Sequence, residues 1–136
     1  MYTAYLDNLP EVKNKFNVEL DENERVVFTA NLALFGTAPG RFLGGDNSKL
    51  TMTNKRIIAN NGVGVWTVDI ADDIVSYEEI NKGVLIFKEH YHVIMLNKTI
   101  SFGENLSETM DGFRFYFKKK DGTVFAEIMN NLLNFQ

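Results

Sequence analysis

Along most of the chain, hydrophobic and polar residues alternate in short runs, and only near the two ends does the spacing lengthen to that of a helix. Val26, Phe28, Ala30, Leu32 and Leu34 take every second position, with Arg25, Thr29 and Asn31 on the other face. Following the polar start Asp21-Glu22-Asn23-Glu24, they predict a first strand. Phe35 to Asn47 carries Gly36, Pro39, Gly40, Gly44 and Gly45, which predicts a loop with room for a bulge or a short edge segment. The runs around Leu50 and Ile57 predict two strands joined near Thr53-Asn54, and Asn60-Asn61-Gly62 marks the next turn. Val63 to Ile70 reads as another strand, separated by Ala71-Asp72-Asp73 from Ile74 to Ile80. Asn81-Lys82-Gly83 is a further hairpin signal. Val84 to Lys88 and His92 to Asn97 are then expected to pair across Glu89-His90-Tyr91, with Thr99 to Phe102 continuing past a bend at Lys98. Beyond a polar loop from Gly103 to Gly112, Phe113, Phe115 and Phe117 alternate with Arg114, Tyr116 and Lys118.

At the N-terminal end, Tyr2, Tyr5, Leu6, Leu9, Val12 and Phe16 recur at helical spacing, and Pro10 suits a first turn capped by Asn8, predicting a short helix from Leu9 to Phe16. Near the C-terminal end, Val124, Phe125, Ile128, Met129, Leu132 and Leu133 form one stripe, with Asp121 or Thr123 as cap. Seven or eight short strands and one amphipathic helix make a mainly β domain whose sheet must bury one face and has one helix with which to close it. The expected architecture is a bent sheet or partly open β-barrel of about seven strands, capped by the C-terminal α-helix and preceded by a short N-terminal helix. Residues 1–18 are expected as a helical extension and 19–136 as the domain. Trp66, alternating with Val68 and Ile70, is expected in the core.

Composition narrows the function more than the fold. At 136 residues and 45% hydrophobic content the chain reads as one domain, long enough to bury roughly two-thirds of its accessible surface. Its lack of cysteine removes disulfides, thiolate chemistry and sulfur-ligated zinc, and fits a reducing compartment, so a cytoplasmic location is expected. No signal peptide is read in Met1 to Asp7, and no apolar run approaches membrane-spanning length. A net charge of −4 argues against general nucleic-acid binding, which rests on neutralising phosphates.

Candidate chemistry is sparse. Arg114, Tyr116 and Lys118 fall on one outward strand face that Lys119 and Lys120 extend, a patch suited to phosphates, headgroups or an acidic partner, or simply a solvated face. Arg41 and the apolar pair Phe42-Leu43 sit in the glycine-rich loop, where the pair could enter a membrane or a partner's pocket, or fold back over the barrel mouth. His90 and His92 have a spacing seen in metal ligands, but no third His or Cys lies nearby, so two exposed turn histidines are the expectation and no metal is assigned. Adjacent acids at Asp72-Asp73 and Glu78-Glu79 point to opposite faces of a strand and do not converge on one atom. The glycines of residues 36–45 lack the Gly-Lys-Ser/Thr step of a phosphate loop, and no Ser-His-Asp set can be assembled.

The acidic strand start Glu24-Arg25-Val26-Val27-Phe28, the run Leu50-x-x-Thr53-x-x-Arg56-Ile57-Ile58, Trp66, and the step Asp73-Ile74-x-Ser76 resemble, in this order, a GRAM or bacterial pleckstrin-homology-like domain. The resemblance spans about residues 19 to 135 and implies a seven-stranded bent sheet closed by the helix near Thr123 to Phe135. It also implies a binding module, not an enzyme, and no cofactor. Lipid-binding members grip phosphates with several basic residues in the loop after the first strand, whereas residues 35–47 here offer only Arg41, with Lys49 beyond. The expected function is therefore non-catalytic recognition of a protein or peptide, or of a second copy in a homo-oligomer. The alternative is attachment to anionic lipid through Arg114, Lys118, Lys119 and Lys120.

Overall fold

The structure is a computed structural model, and residues 3–38, 40–84, 86–118 and 120–134 are described. Eight strands form one antiparallel sheet: β1 (Val26–Ala38), β2 (Phe42–Gly44), β3 (Ser48–Thr53), β4 (Arg56–Asn60), β5 (Val65–Asp69), β6 (Ile74–Val84), β7 (Phe87–Phe102) and β8 (Glu108–Phe117). Helices α1 (Ala4–Asp7), α2 (Ile70–Asp73) and α3 (Asp121–Asn134) precede it, join β5 to β6 and close it. The strand order is β5-β4-β3-β1-β8-β7-β6, with β2 paired to β1. The mainly β, helix-capped architecture expected from the sequence is the one observed.

β1 is common to both halves of the sheet. Its residues 26–32 pair with β3 and its residues 32–38 with β8, with a register shift between Leu32 and Leu34 where it passes from one half to the other. The strand runs on through Phe35, Gly36 and Ala38, where the sequence predicted a loop, because the fully buried Phe35 and the β8 partner extend it. α3 plugs the bent sheet with Phe125, Ile128, Met129 and Leu132, all buried. Phe125 lies 4.8 Å from the Phe117 ring and 5.9 Å from those of Phe28 and Phe115. Val124, assigned to the same stripe, is instead exposed.

A three-way polar lock joins the chain before β1 to the β3–β4 turn. Glu24 Oε2 accepts from Thr53 Oγ1 at 2.6 Å and from Arg56 Nε at 2.7 Å, while its Oε1 accepts from Arg56 Nη2 at 2.9 Å and the Asp21 N–H at 2.8 Å. Arg56 also donates to the Glu19 carbonyl and Lys55 to the Glu22 carbonyl. Thr53 and Arg56 of the Leu-x-x-Thr-x-x-Arg run thus converge on the acid that starts the first strand. Burial pushes the Glu24 carboxyl up, but the Arg56 and Thr53 hydrogen bonds, the Asp21 N–H and the Arg56 charge outweigh it and lower the pKa to about 2.

Four further segments depart from the sequence expectation. The N-terminal helix is α1, not residues 9–16: beyond Pro10 the Val12 N–H bonds the Val26 carbonyl, and the Asn14 side chain bonds both N–H and C=O of Val18, bending the chain into a loop. Leu6 is fully buried in the core, Tyr5 and Leu9 pack on it, and Asp7 is bonded by Arg25 and Asn54. Ile70 ends the predicted strand 63–70 by starting α2, because the Asp69 carboxylate accepts the Asp72 N–H and caps a helical turn. In the third, Asn81-Lys82-Gly83 and Glu89-His90-Tyr91 lie within strands, and β6 and β7 pair without a break from Tyr77↔Ile94 to Val84↔Phe87. The hairpin therefore reverses between Val84 and Phe87, inside the apolar run 84–87. Gly83, with φ +101°, supplies the left-handed residue just before the reversal. β8 likewise begins at Glu108, inside the predicted polar loop 103–112.

Because the Glu24 pKa is lowered on folding, its stabilisation is present above the ordinary value of 4.5 and is lost as pH falls towards about 2. Chemical denaturation across that window is expected to show a loss of about 3 kcal/mol that Glu24→Gln largely removes from the pH profile, at the cost of lower stability at neutral pH. Leu6→Ala is expected to lower stability by about 3 kcal/mol in the same assay, since α1 is packed into the core.

Candidate functional site

Two regions of the sheet combine exposure with organised chemistry: the β6–β7 hairpin at one edge, and a cation–aromatic cluster on the outer face of β1, β2, β8 and β7. β6 pairs with β7 on one side and with no other strand among the described residues, so the backbone groups of its outer side are unpaired over an eleven-residue strand. Most of its side chains are exposed, Val75 and Val84 among them. α3 packs beside it through Tyr77, whose ring is 5.9 Å from Phe125. At the reversal Val84 is 71% and Ile86 87% exposed, so the hairpin ends in an apolar tip flanked in sequence by Lys82 and Lys88.

On the outer face, the side chain of Arg114 lies across the β1–β8 junction. Its Nε donates to the Thr37 carbonyl at 2.7 Å, Nη1 to the Tyr116 hydroxyl at 3.2 Å and Nη2 to the Arg41 carbonyl at 3.4 Å. The guanidinium is 5.1 Å from the Phe42 ring, 5.9 Å from Tyr91 and 6.0 Å from Tyr116, and Lys82 extends the row over Tyr91 at 5.5 Å. Gly36 makes the crossing possible. A Cβ there would overlap the Arg41 carbonyl oxygen and lie 2.9 Å from Arg114 Nη2.

The structure therefore brings Arg41, Phe42, Arg114 and Tyr116 together. Arg41 pairs with Glu108, and Phe42 remains half-exposed against Tyr116. Leu43 turns inward and packs on the core. Lys118 and Lys120 lie apart from Arg114, around a broad depression with Asn31 and Asp121, and Lys118 is 4.0 Å from Asp46. Lys119 lies outside the described residues.

The histidines stand in β7, not in a turn, because the hairpin reverses earlier than the polar turn signals suggest. His92 is 1% exposed, stacked on Tyr77 and edge-on to Phe117 and Phe125, with Nδ1 2.6 Å from the Tyr77 hydroxyl. Burial, with a smaller push from Glu79, raises the Tyr77 pKa well above its ordinary value and keeps the phenol protonated. Burial, together with nearby His90 and against the pull of Glu79, lowers His92 to about 4, so the ring is neutral at neutral pH. His90 is exposed and paired with Glu79 at 2.5 Å. The sequence offers no third His or Cys beside them, and Glu79 becomes their neighbour only through the strand register.

A further concavity of about 300 Å³ lies between residues 16–19 and the outer face of β3–β5. Its cations are already engaged, Arg56 by Glu24 and Lys49 over the Phe16 ring at 5.5 Å.

Among solved structures, the chain is similar to the Vps36 N-terminal PH domain, with a TM-score of 0.61 and 14% sequence identity over 93% of this chain and 92% of that one. At this identity the likeness shows the fold, which is PH-like, and domains of this fold commonly bind proteins or lipids and are typically non-catalytic. No family model and no curated protein matches the chain. No helix among the described residues is long and apolar enough to cross a membrane.

Gly36→Ala is expected to cost about 2 kcal/mol in chemical denaturation, because the new methyl group must displace the loop carbonyl of Arg41 as well as the Arg114 guanidinium. A cost below the error of the assay would show that the Arg41 loop and Arg114 are both free to leave their places.

Proposed function

We propose that the chain is a non-catalytic, cytoplasmic binding module of the GRAM or pleckstrin-homology-like kind that recognises an extended segment of a partner protein, or of a second copy of itself, by adding it as a strand beside β6. The observation that carries this reading is the unpaired outer side of β6, long, exposed and walled by α3. An added strand satisfies backbone donors and acceptors without needing a charge cluster, which suits a chain of net charge −4. Alternate side chains of the incoming segment would face α3 and supply specificity.

A second reading, attachment to anionic membrane, is favoured by the apolar hairpin tip between Lys82 and Lys88. Arg41, Arg114, Lys118, Lys119 and Lys120 are the other cations on which it would draw. Burying Val84 and Ile86 is worth about 1.5 kcal/mol each and each lysine adds about 1 kcal/mol. The tip alone thus reaches about 5 kcal/mol, or a dissociation constant of roughly 0.2 mM. Glu89, 3.8 Å from Lys82, weakens it further. Strand addition is therefore placed first.

The test is selection of peptides from a displayed random library, followed by amide hydrogen exchange on the complex. Sedimentation with phosphatidylserine vesicles at about 0.05 and about 0.3 M salt runs in parallel, because screening weakens exposed charge contacts over that range. Enriched peptides that protect the amides of β6 are the expected outcome. Protection confined to β3–β5, or no enrichment together with salt-sensitive vesicle binding that Ile86→Asp abolishes, would replace strand addition by another surface or by the membrane.

A further inference from the structure

We propose that Glu79, His90 and His92 form a binding site for a divalent transition-metal ion of the zinc type on the inner face of the β6–β7 hairpin. Glu79 stands directly opposite His92, and Asn81 opposite His90, so the three side chains leave one face of two adjacent strands. One donor atom from each lies within 4.8 Å of the other two. Two imidazoles and a carboxylate are a donor set suited to zinc, copper and nickel ions. Zinc bonds of about 2.1 Å in tetrahedral geometry hold donors roughly 3.4 Å apart. Reaching that spacing needs only rotation of Glu79 and His90, already paired and with side chains 37% and 48% exposed, around the buried third ligand.

His92 supplies the second, independent observation. Its Nδ1 is engaged by the Tyr77 hydroxyl, whereas its Nε2 is buried without any hydrogen-bond partner. A buried donor or acceptor left unmatched is costly, and most such groups in folded proteins are satisfied. A ring with one nitrogen oriented by a neighbouring hydroxyl and the other unpartnered has the arrangement of a metal-bound histidine with its outer-shell support. Gly122, at the start of α3, keeps the approach open, since a Cβ there would come within 3.0 Å of Nε2. The bound ion would staple the edge strand β6 to β7. With only three protein donors it would keep a coordination position for water or for a side chain of a partner. This inference does not depend on strand addition at β6.

The test is titration of untagged protein with zinc chloride by calorimetry, paired with thermal unfolding with and without zinc. The expected result is one zinc ion per chain and a higher unfolding temperature with zinc, because ligand that binds only the folded state stabilises it. His90→Ala and Glu79→Gln, both at exposed positions, should fold as the wild type without zinc and bind it at least about tenfold more weakly. No zinc uptake by the wild type, or uptake that both variants leave unchanged, would overturn the site and leave His90–Glu79 as a surface ion pair.

Discussion

The fold depends on a carboxylate buried where three chain segments meet. Glu24 stands two residues before β1, and its oxygens take hydrogen bonds from Thr53, Arg56 and the Asp21 backbone. This holds the β3–β4 turn against the entry of the strand that the two halves of the sheet share. Arg56 and Lys55 extend the hold to the carbonyls of Glu19 and Glu22, and Asn54 reaches Asp7 and Asn23. A buried ion pair adds little net stability over an apolar substitute, yet loss of one partner leaves an uncompensated charge. Its value here is to specify one arrangement of turn, strand and N-terminal segment.

From that anchor, β1 carries the bend. Its first half pairs with β3, its second with β8, and the shift at residues 32–34 turns the sheet so that one helix can cover the enclosed face. The aromatic core explains why a single helix suffices: Phe125 touches rings from β1, β6, β7 and β8 at once. On the outer side of the same bend, Arg114 is held by two carbonyls, a phenol and three ring faces. It is better described as a clasp over the β1–β8 junction than as a free cation.

Among the described residues, β5 and β6 are the edge strands at the two ends of the sheet order, and the longer of these, β6, belongs to the hairpin that carries most of the candidate features. An unpaired edge, an apolar tip and a Glu-His-His cluster all lie on residues 74–92. The first two are surface features. The third stands at the boundary of the core, where His92 is packed against Tyr77 and α3 while Glu79 and His90 are exposed.

Alternation along residues 26–34 and 113–117, and the helical stripe from Phe125 to Leu133, were sufficient to predict a mainly β domain with a terminal helix, because burial of one face imposes those periods locally. The pair Thr53 and Arg56 was visible as a motif, though its acceptor was not. What the sequence could not settle was register. Asn81-Lys82-Gly83 has stronger turn chemistry than the apolar run 84–87, and only the continuous β6–β7 ladder overrides it. That override places Glu79 opposite His92 and turns two dismissed histidines into a cluster. Arg114, likewise, read as an outward cation, and only the path of β1 through Gly36 shows it to be engaged. Periodicity is a property of neighbours in the chain and so was legible from the start. Convergence of distant side chains depends on how strands pair and where they bend, and this the tertiary structure alone decided.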